Sequence, residues 1–266
     1  MEFSGSELAF SDILTMVEPR PKPRSVGLTE VRTPAHSLAR ISGYVEVLAP
    51  YLDSVKWTCA TQRLLPRSTV REINDYLHSK EIEVSSGGMI ESIMPLGEKA
   101  VRRYLEQSKE LGFDIIELSS AFVGISLADK GNLVKAVLEL GMKPKPEVNA
   151  WSPGDRKNIS ATKVIREAEA LLEAGAWKIM IEEDGIFSVG NSGTDPSTWN
   201  RDLAWQVANR IPQEHLYWEA SDYNVNMWLL NSFGPDVNMF GGDEQLGYIA
   251  AFRAGIFATT MAAFRG

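Results

Sequence analysis

Gly141-Met-Lys-Pro-Lys-Pro-Glu-Val148 is an extended run whose side chains fall into two sets. Lys143, Lys145 and Glu147 share one face and Pro144, Pro146 and Val148 the other, because side chains alternate along a strand. Two prolines cannot donate ladder hydrogen bonds, so an irregular or bulged strand is expected here. The run finishes on a charge, and five others do the same: Gly27-Leu-Thr-Glu-Val31, Asp53-Ser-Val-Lys-Trp57, Phe113-Asp-Ile-Ile-Glu-Leu118, Lys178-Ile-Met-Ile-Glu182 and Leu216-Tyr-Trp-Glu219. A strand that buries its apolar residues and ends on a charge directs that charge to one rim of a sheet. Several such strands make the charges converge. Carboxylates and lysines gathered in this way repel or pair unless a cation or an anionic ligand lies between them, which favours an enzyme.

Helical patterns separate these runs. Val70, Ile73 and Leu77 fall at helical spacing within Ser68 to Lys80. Further helices are expected over Glu98–Leu111, Ser126–Leu140, Ala161–Ala174, Pro196–Arg210, Val225–Ser232 and Glu244–Gly255, with Gly112, Gly141 and Gly175 as stops. Short strands are expected over Ile82–Ser86 and Val237–Phe240. The strand ends Glu30, Lys56, Ser86, Glu117, Glu147, Glu182, Glu219 and Asn238 then lie 19 to 37 residues apart. A βα unit needs roughly 30 residues. Eight of them make a single (β/α)8 TIM barrel of the α/β class, whose catalytic groups sit at the C-terminal ends of its strands. An open doubly wound sheet would carry a Gly-rich fingerprint after the first strand, and Leu28-Thr-Glu-Val-Arg32 is not one. Residues 1–24, with Pro19, Pro21 and Pro23, form a short irregular N-terminal extension, and residues 25–266 form the barrel.

Composition narrows the function. The formal net charge of −8 argues against nucleic acid as a partner, since a basic face is needed for that. A single cysteine, Cys59, excludes an intramolecular disulfide and argues against structural zinc. No apolar run approaches ~18 residues, and the first residues lack a basic start. A cytoplasmic protein with no membrane partner is expected.

Strand parity sets Ile115, Glu117 and Ser119 on one face, and Met180 with Glu182 on one face. If these sets point inward, Glu117, Glu147, Glu182 and Glu219 meet at the barrel mouth. Such oxygen donors suit Mg²⁺ or Mn²⁺. Singly, each glutamate could instead pair with a lysine at the rim. Lys56 and Lys145 are either counter-charges or groups that bind an anion or move a proton. Ser85-Ser-Gly-Gly88, Gly190-Asn-Ser-Gly193 and Gly241-Gly-Asp243 are possible phosphate cradles, although each alone reads as a plain turn. His36, His78 and His215 share no ligand spacing, and Trp218, Met227 and Trp228 read as core or subunit contact.

The motifs Lys22-Pro-Arg-Ser-Val-Gly-Leu-Thr29, Asp53-Ser-Val-Lys56, Ser86-Gly-Gly88, Leu111-Gly-Phe-Asp-Ile-Ile-Glu-Leu-Ser119, Lys143-Pro-Lys-Pro-Glu-Val148, Ile179-Met-Ile-Glu182 and Phe233-Gly-Pro-Asp-Val-Asn238 run in order through the chain. Together they resemble the phosphosulfolactate synthases and the related plant heat-stress-associated proteins, from about Pro21 to Gly255. The resemblance implies a (β/α)8 barrel, Mg²⁺ dependence and homo-oligomers, trimers among them. It implies addition of sulfite to phosphoenolpyruvate, giving 2-phospho-3-sulfolactate. On this footing Glu147, Glu182 and Glu219 surround the metal, Lys56 faces the developing charge, and Glu117 is a further ligand or orienting group. Arg63, Ser86, Gly87, Gly88, Asn238, Gly241 and Gly242 are the candidates for contact with substrate and phosphate. The chain departs from the family at the rim. Asn149-Ala-Trp151 follows Glu147-Val148 where archaeal members have lysines, one of them a candidate proton donor; either Lys145 replaces that donor or another nucleophile than sulfite is used. Thr58-Cys-Ala-Thr-Gln-Arg63 replaces a small Gly-rich loop, and Gly241-Gly-Asp-Glu244 replaces Val-Asp-His-Ser. Two alternatives stand beside the lyase: a non-catalytic binding or stress-related relative on the same barrel, and a barrel aldolase with Lys56 or Lys145 as a Schiff base.

Overall fold

The computed structural model describes residues 8–33, 36–151, 158–188 and 195–257. The expected cradle at Gly190–Gly193 lies outside them. Eight parallel strands close in chain order: β1 (Thr29–Thr33), β2 (Ser54–Trp57), β3 (Glu83–Ser85), β4 (Ile115–Leu118), β5 (Lys143–Val148), β6 (Ile179–Ile181), β7 (Leu216–Glu219) and β8 (Met239–Gly242), with β8 returning to β1. Each is followed by a helix: α1 (Leu38–Leu48), α2 (Arg67–His78), α3 (Glu98–Glu110), α4 (Leu127–Glu139), α5 (Ala161–Glu173), α6 (Arg201–Arg210), α7 (Tyr223–Phe233) and α8 (Leu246–Arg253). This is a (β/α)8 barrel. Ser37, Ser126, Ser160, Asn200 and Asp222 each accept a backbone N–H from the first turn of the helix they precede. Such caps contribute about 1 kcal/mol each and fix where the strand-to-helix loops end.

Alternation along the strands sorts side chains into two layers. Val31, Val55, Ile116, Leu118, Val148, Ile179, Ile181 and Trp218 face outward and pack with the helices in one core. Leu28, Met180, Tyr217 and Phe240 form a small cluster inside the barrel. Most of the remaining inward positions carry polar and charged groups.

Three expectations change. β5 is an unbroken six-residue strand despite its prolines. Lys143 donates to Asp114 on the β4 side, whereas Pro144 and Val148 present carbonyls to Trp177 and Glu182 on the β6 side. The missing proline donors therefore fall on β6, where the ladder shrinks to two residue pairs against four with β4. α6 starts at Arg201 rather than Pro196, because Asp195 holds Ser197 and Thr198 in a tight turn. β8 starts at Met239 rather than Val237 and runs through Gly242. Asn238 is drawn out of the strand because its side chain accepts from the N–H of Leu28 and donates to the carbonyl of Leu216.

The segment before β1 straps the N-terminal end of the barrel. The Val17 N–H donates to Ala254 at 2.9 Å, Arg20 pairs with Asp236 at 2.7 Å, and Arg24 pairs with Asp53 at 2.7 Å. Asp53 also accepts from the Thr29 N–H at 2.8 Å, tying the strap to β1.

Candidate active site at the barrel mouth

The inward faces of β1, β2, β4 and β5 bring four charged groups into one buried chain of contacts. Lys56 Nζ is 2.8 Å from Glu117 Oε1. Lys145 Nζ is 3.5 Å from Glu117 Oε2 and 2.5 Å from Glu30 Oε1. Ser54 donates to the other Glu30 oxygen at 2.8 Å. Burial works against the charge on both Lys56 and Glu117. Glu117, Glu219 and Glu30 outweigh it at Lys56 and raise that amine above its ordinary value. Lys56 and Lys145 likewise hold the Glu117 carboxyl below its ordinary value. The Lys56 ammonium also lies 4.0 Å above the Phe240 ring.

The side formed by β5, β6 and β7 behaves in the opposite way. Burial, with the nearby charges of Glu117 and Glu219, pushes the Glu147 carboxyl up to about 7. Ser119 and Asn149 donate to it at 2.9 and 3.2 Å. Glu182, just beyond β6, is pushed well above the carboxylate range by burial and by Glu219 and Glu147, and its carboxyl hydrogen-bonds to Glu219. Glu219 accepts the Glu183 N–H at 3.3 Å. Glu183 is itself raised to about 7 by burial and Glu219, although Ser221 donates to it twice at 2.7 Å. The mouth thus has one side of matched ion pairs and one side of mutually repelling acids.

Lys145 has the expected face but not the expected height. It is 0% exposed and closed between Glu30 and Glu117, so it is a counter-ion beneath the mouth and not a group that reaches it. Asn238 lies at the opposite end of the barrel, bonded to Leu28 and Leu216. Ser86 is buried; it accepts from the Glu117 N–H and donates to the Gly87 carbonyl. Gly87, at φ +61°, has a backbone reason for its identity: a Cβ there would lie 1.9 Å from the Trp57 carbonyl oxygen. Gly88 packs against Ser119. Gly241 and Gly242 belong to β8 itself, and the Gly242 N–H is taken by Gln245 Oε1 at 3.0 Å. That correction removes a phosphate donor from the expected cradle. Arg63 is exposed in a short 3₁₀ turn after β2, and Cys59 is exposed beside it.

Three groups escape the sequence reading, and a fourth stands elsewhere than expected. Arg32 shares the parity of Glu30 and stands 3.6 Å from Glu219. Glu183 follows Glu182 directly. Glu30, expected at a strand end, lies within β1 and faces Lys145. Lys130, from α4, donates to the Glu147 carbonyl at 2.9 Å, and burial lowers its pKa. No local pattern announces a helix side chain that reaches a neighbouring strand.

Among the described residues no three His, Cys, Asp or Glu side chains form a ready ligand group for a metal ion. The donor chemistry nevertheless fits Mg²⁺, which is commonly bound through one or two carboxylates, its own waters and substrate phosphate. Glu182, whose carboxyl burial and the neighbouring Glu219 and Glu147 push well above the carboxylate range, stands with Glu219 as the pair a dication would relieve. Among the described residues no helix is long and apolar enough to cross a membrane.

Comparison with known proteins adds four findings. The family model described as (2R)-phospho-3-sulfolactate synthase (ComA) matches residues 18–259. Protein HEAT-STRESS-ASSOCIATED 32 of Arabidopsis thaliana is 28% identical over 253 residues, covering 86% of each chain. The phosphosulfolactate synthase of Methanothermobacter thermautotrophicus is 27% identical over 245 residues, covering 90% of this chain and 93% of the relative. Among solved structures, the carboxyl transferase domain of Rhizobium etli pyruvate carboxylase with oxamate and biotin superposes with a TM-score of 0.63 at 14% identity. That match covers 90% of this chain but only 44% of the other, and it shows the fold alone.

Proposed function

Because the chain belongs to the (2R)-phospho-3-sulfolactate synthase (ComA) family, we propose that it is a lyase adding sulfite, or another small nucleophile, to phosphoenolpyruvate with Mg²⁺. The observation that supports this reading best is the divided mouth: an ammonium fixed by Glu117 faces acids that burial and their neighbours make reluctant to ionise.

In the proposed reaction the sulfite sulfur forms a bond to C3 of phosphoenolpyruvate. The C2–C3 π electrons move into the carboxylate, giving an enediolate, and a proton then closes C2. The phosphate ester is retained. Lys56 is held as a cation and stabilises the enediolate. Lys145 is sealed, so the proton at C2 comes from an acid at the mouth; Glu147, at about 7 and steadied by Ser119 and Asn149, is the donor we assign. Glu182 and Glu219 are the residues that would hold Mg²⁺. When bound, the ion supplies charge neutralisation for the substrate's carboxylate and phosphate oxygens. A homo-oligomer is part of the same proposal, and light scattering measures it.

A Schiff-base aldolase is disfavoured, because Lys56 is locked as an ammonium and Lys145 is closed into an ion pair. The decisive experiment is mass spectrometry of the protein with phosphoenolpyruvate, Mg²⁺ and a panel of nucleophiles including sulfite. The expected product carries a new C–S bond and an intact phosphate. No adduct with any nucleophile would leave the non-catalytic reading in its place. Glu147→Gln should lower turnover by about 10²- to 10⁴-fold in a folded protein.

A further inference from the structure

We infer that this mouth anchors the phosphate or carboxylate of its substrate at Arg32 on the β1 side, not at the β7–β8 end where barrels often hold phosphate. The inference rests on the proposed reading only in taking the substrate to be an anion.

The β8 end is built against an anion. The Gly242 N–H is engaged by Gln245, whose amide also donates to the Ser221 carbonyl at 2.7 Å. A Cβ on Gly242 would lie 2.1 Å from a Glu244 carboxylate oxygen, so that carboxylate already covers the glycine. Asp243 stands beside it in a two-bond pair with Arg40, both at 2.9 Å. An anion placed there meets two carboxylates, and the Gly242 N–H has no hydrogen bond to give it.

Four other cations around the mouth are engaged, while Arg63 stands exposed in the turn after β2. Lys56 is on Glu117, Lys145 on Glu30, Lys130 on the Glu147 carbonyl, and Arg40 on Asp243. Arg32 differs. It sits near the C-terminal end of β1, in register with Lys56 on one side and Gly242 on the other. Its closest acid, Glu219, is 3.6 Å away, beyond hydrogen-bond length, and its side chain is 37% exposed. Its planar fork of N–H donors matches a phosphate or carboxylate in two parallel bonds. A multiply charged anion entering an acidic mouth needs a cation with N–H donors still open, and Arg32, paired with Glu219 only through space, offers them directly beside Lys56.

Calorimetry with inorganic phosphate and with phosphoenolpyruvate, in Mg²⁺ buffer, tests this on the wild type, Arg32→Met and Arg32→Lys. Circular dichroism checks that each variant is folded. Arg32→Met should weaken both ligands by roughly 10- to 100-fold, the scale of a charge-assisted hydrogen bond. Arg32→Lys should fall between, since it keeps the charge and loses the fork. In turnover the KM for phosphoenolpyruvate should rise more than kcat falls, with the KM for sulfite unmoved. Equal phosphate affinity in wild type and Arg32→Met, or no phosphate binding by the wild type, overturns the inference. Arg32-dependent phosphate binding without adduct formation would sink the lyase and leave Arg32 as the anchor. Adduct formation with unchanged affinity in Arg32→Met would do the reverse.

Discussion

Lys56 at the mouth and Lys178 at the base are both buried lysines, yet their amines move in opposite directions. Lys178 donates to the backbone carbonyls of Ser25 and Glu214. Burial lowers its pKa to about 8, with Glu214 only partly opposing. Arg253 follows it: its partners are the Thr29 hydroxyl and the carbonyls of Leu28 and Pro235, and burial brings it down to about 10. Lys56 faces carboxylates and is raised. Carbonyl dipoles satisfy a cation's hydrogen bonds without compensating its lost hydration, whereas a carboxylate does both. The base therefore uses charge as a fastener, and the mouth stores it in a form that a substrate can disturb.

The largest test of that contrast is Glu117→Gln. It leaves Lys56 and Lys145 buried without their shared counter-ion, and should cost about 3–5 kcal/mol in urea unfolding. A loss below 1 kcal/mol would mean that the network is not the store of charge described. Next comes Glu183, whose carboxyl is raised from an ordinary 4.5 to about 7 in the folded chain. Its contribution to stability is present below pH 4.5 and is lost as pH climbs through 7. The loss is on the order of 3 kcal/mol in metal-free buffer. Glu183→Gln should flatten that slope, and an unchanged slope would assign the effect elsewhere. The smallest effect is expected at the base. Lys178→Met leaves two carbonyls without their donor and should cost about 1–3 kcal/mol, while adduct formation proceeds at the wild-type rate. A loss of turnover there would erase the distinction between the two ends.

Alternation along the chain reveals which face a side chain takes, but not how high it stands in the barrel. Glu117, Glu147 and Lys56 could be placed from parity because their strands end close to them. Lys145 has the same parity as Glu147, yet sits one layer lower and is sealed. Asn238 shares parity with Phe240 and Gly242, and a two-residue shift in β8 sends it to the other end. An apolar run such as Val237-Asn-Met-Phe240 contains nothing that says which of its ends meets the solvent. Arg32 was legible in principle, since β1 continues past Glu30 to Thr33. Lys130 and Glu244 were not, because their placement depends on elements packed from elsewhere in the sequence.

The contact between Val17 and Ala254 has a topological consequence. It brings two backbone points from opposite ends of the fold to within one hydrogen bond, so the closed ring of strands is matched by a nearly closed covalent loop. A polypeptide threaded directly from Ala254 into Val17 and cut open in an outer turn would trace the same ring from another starting strand.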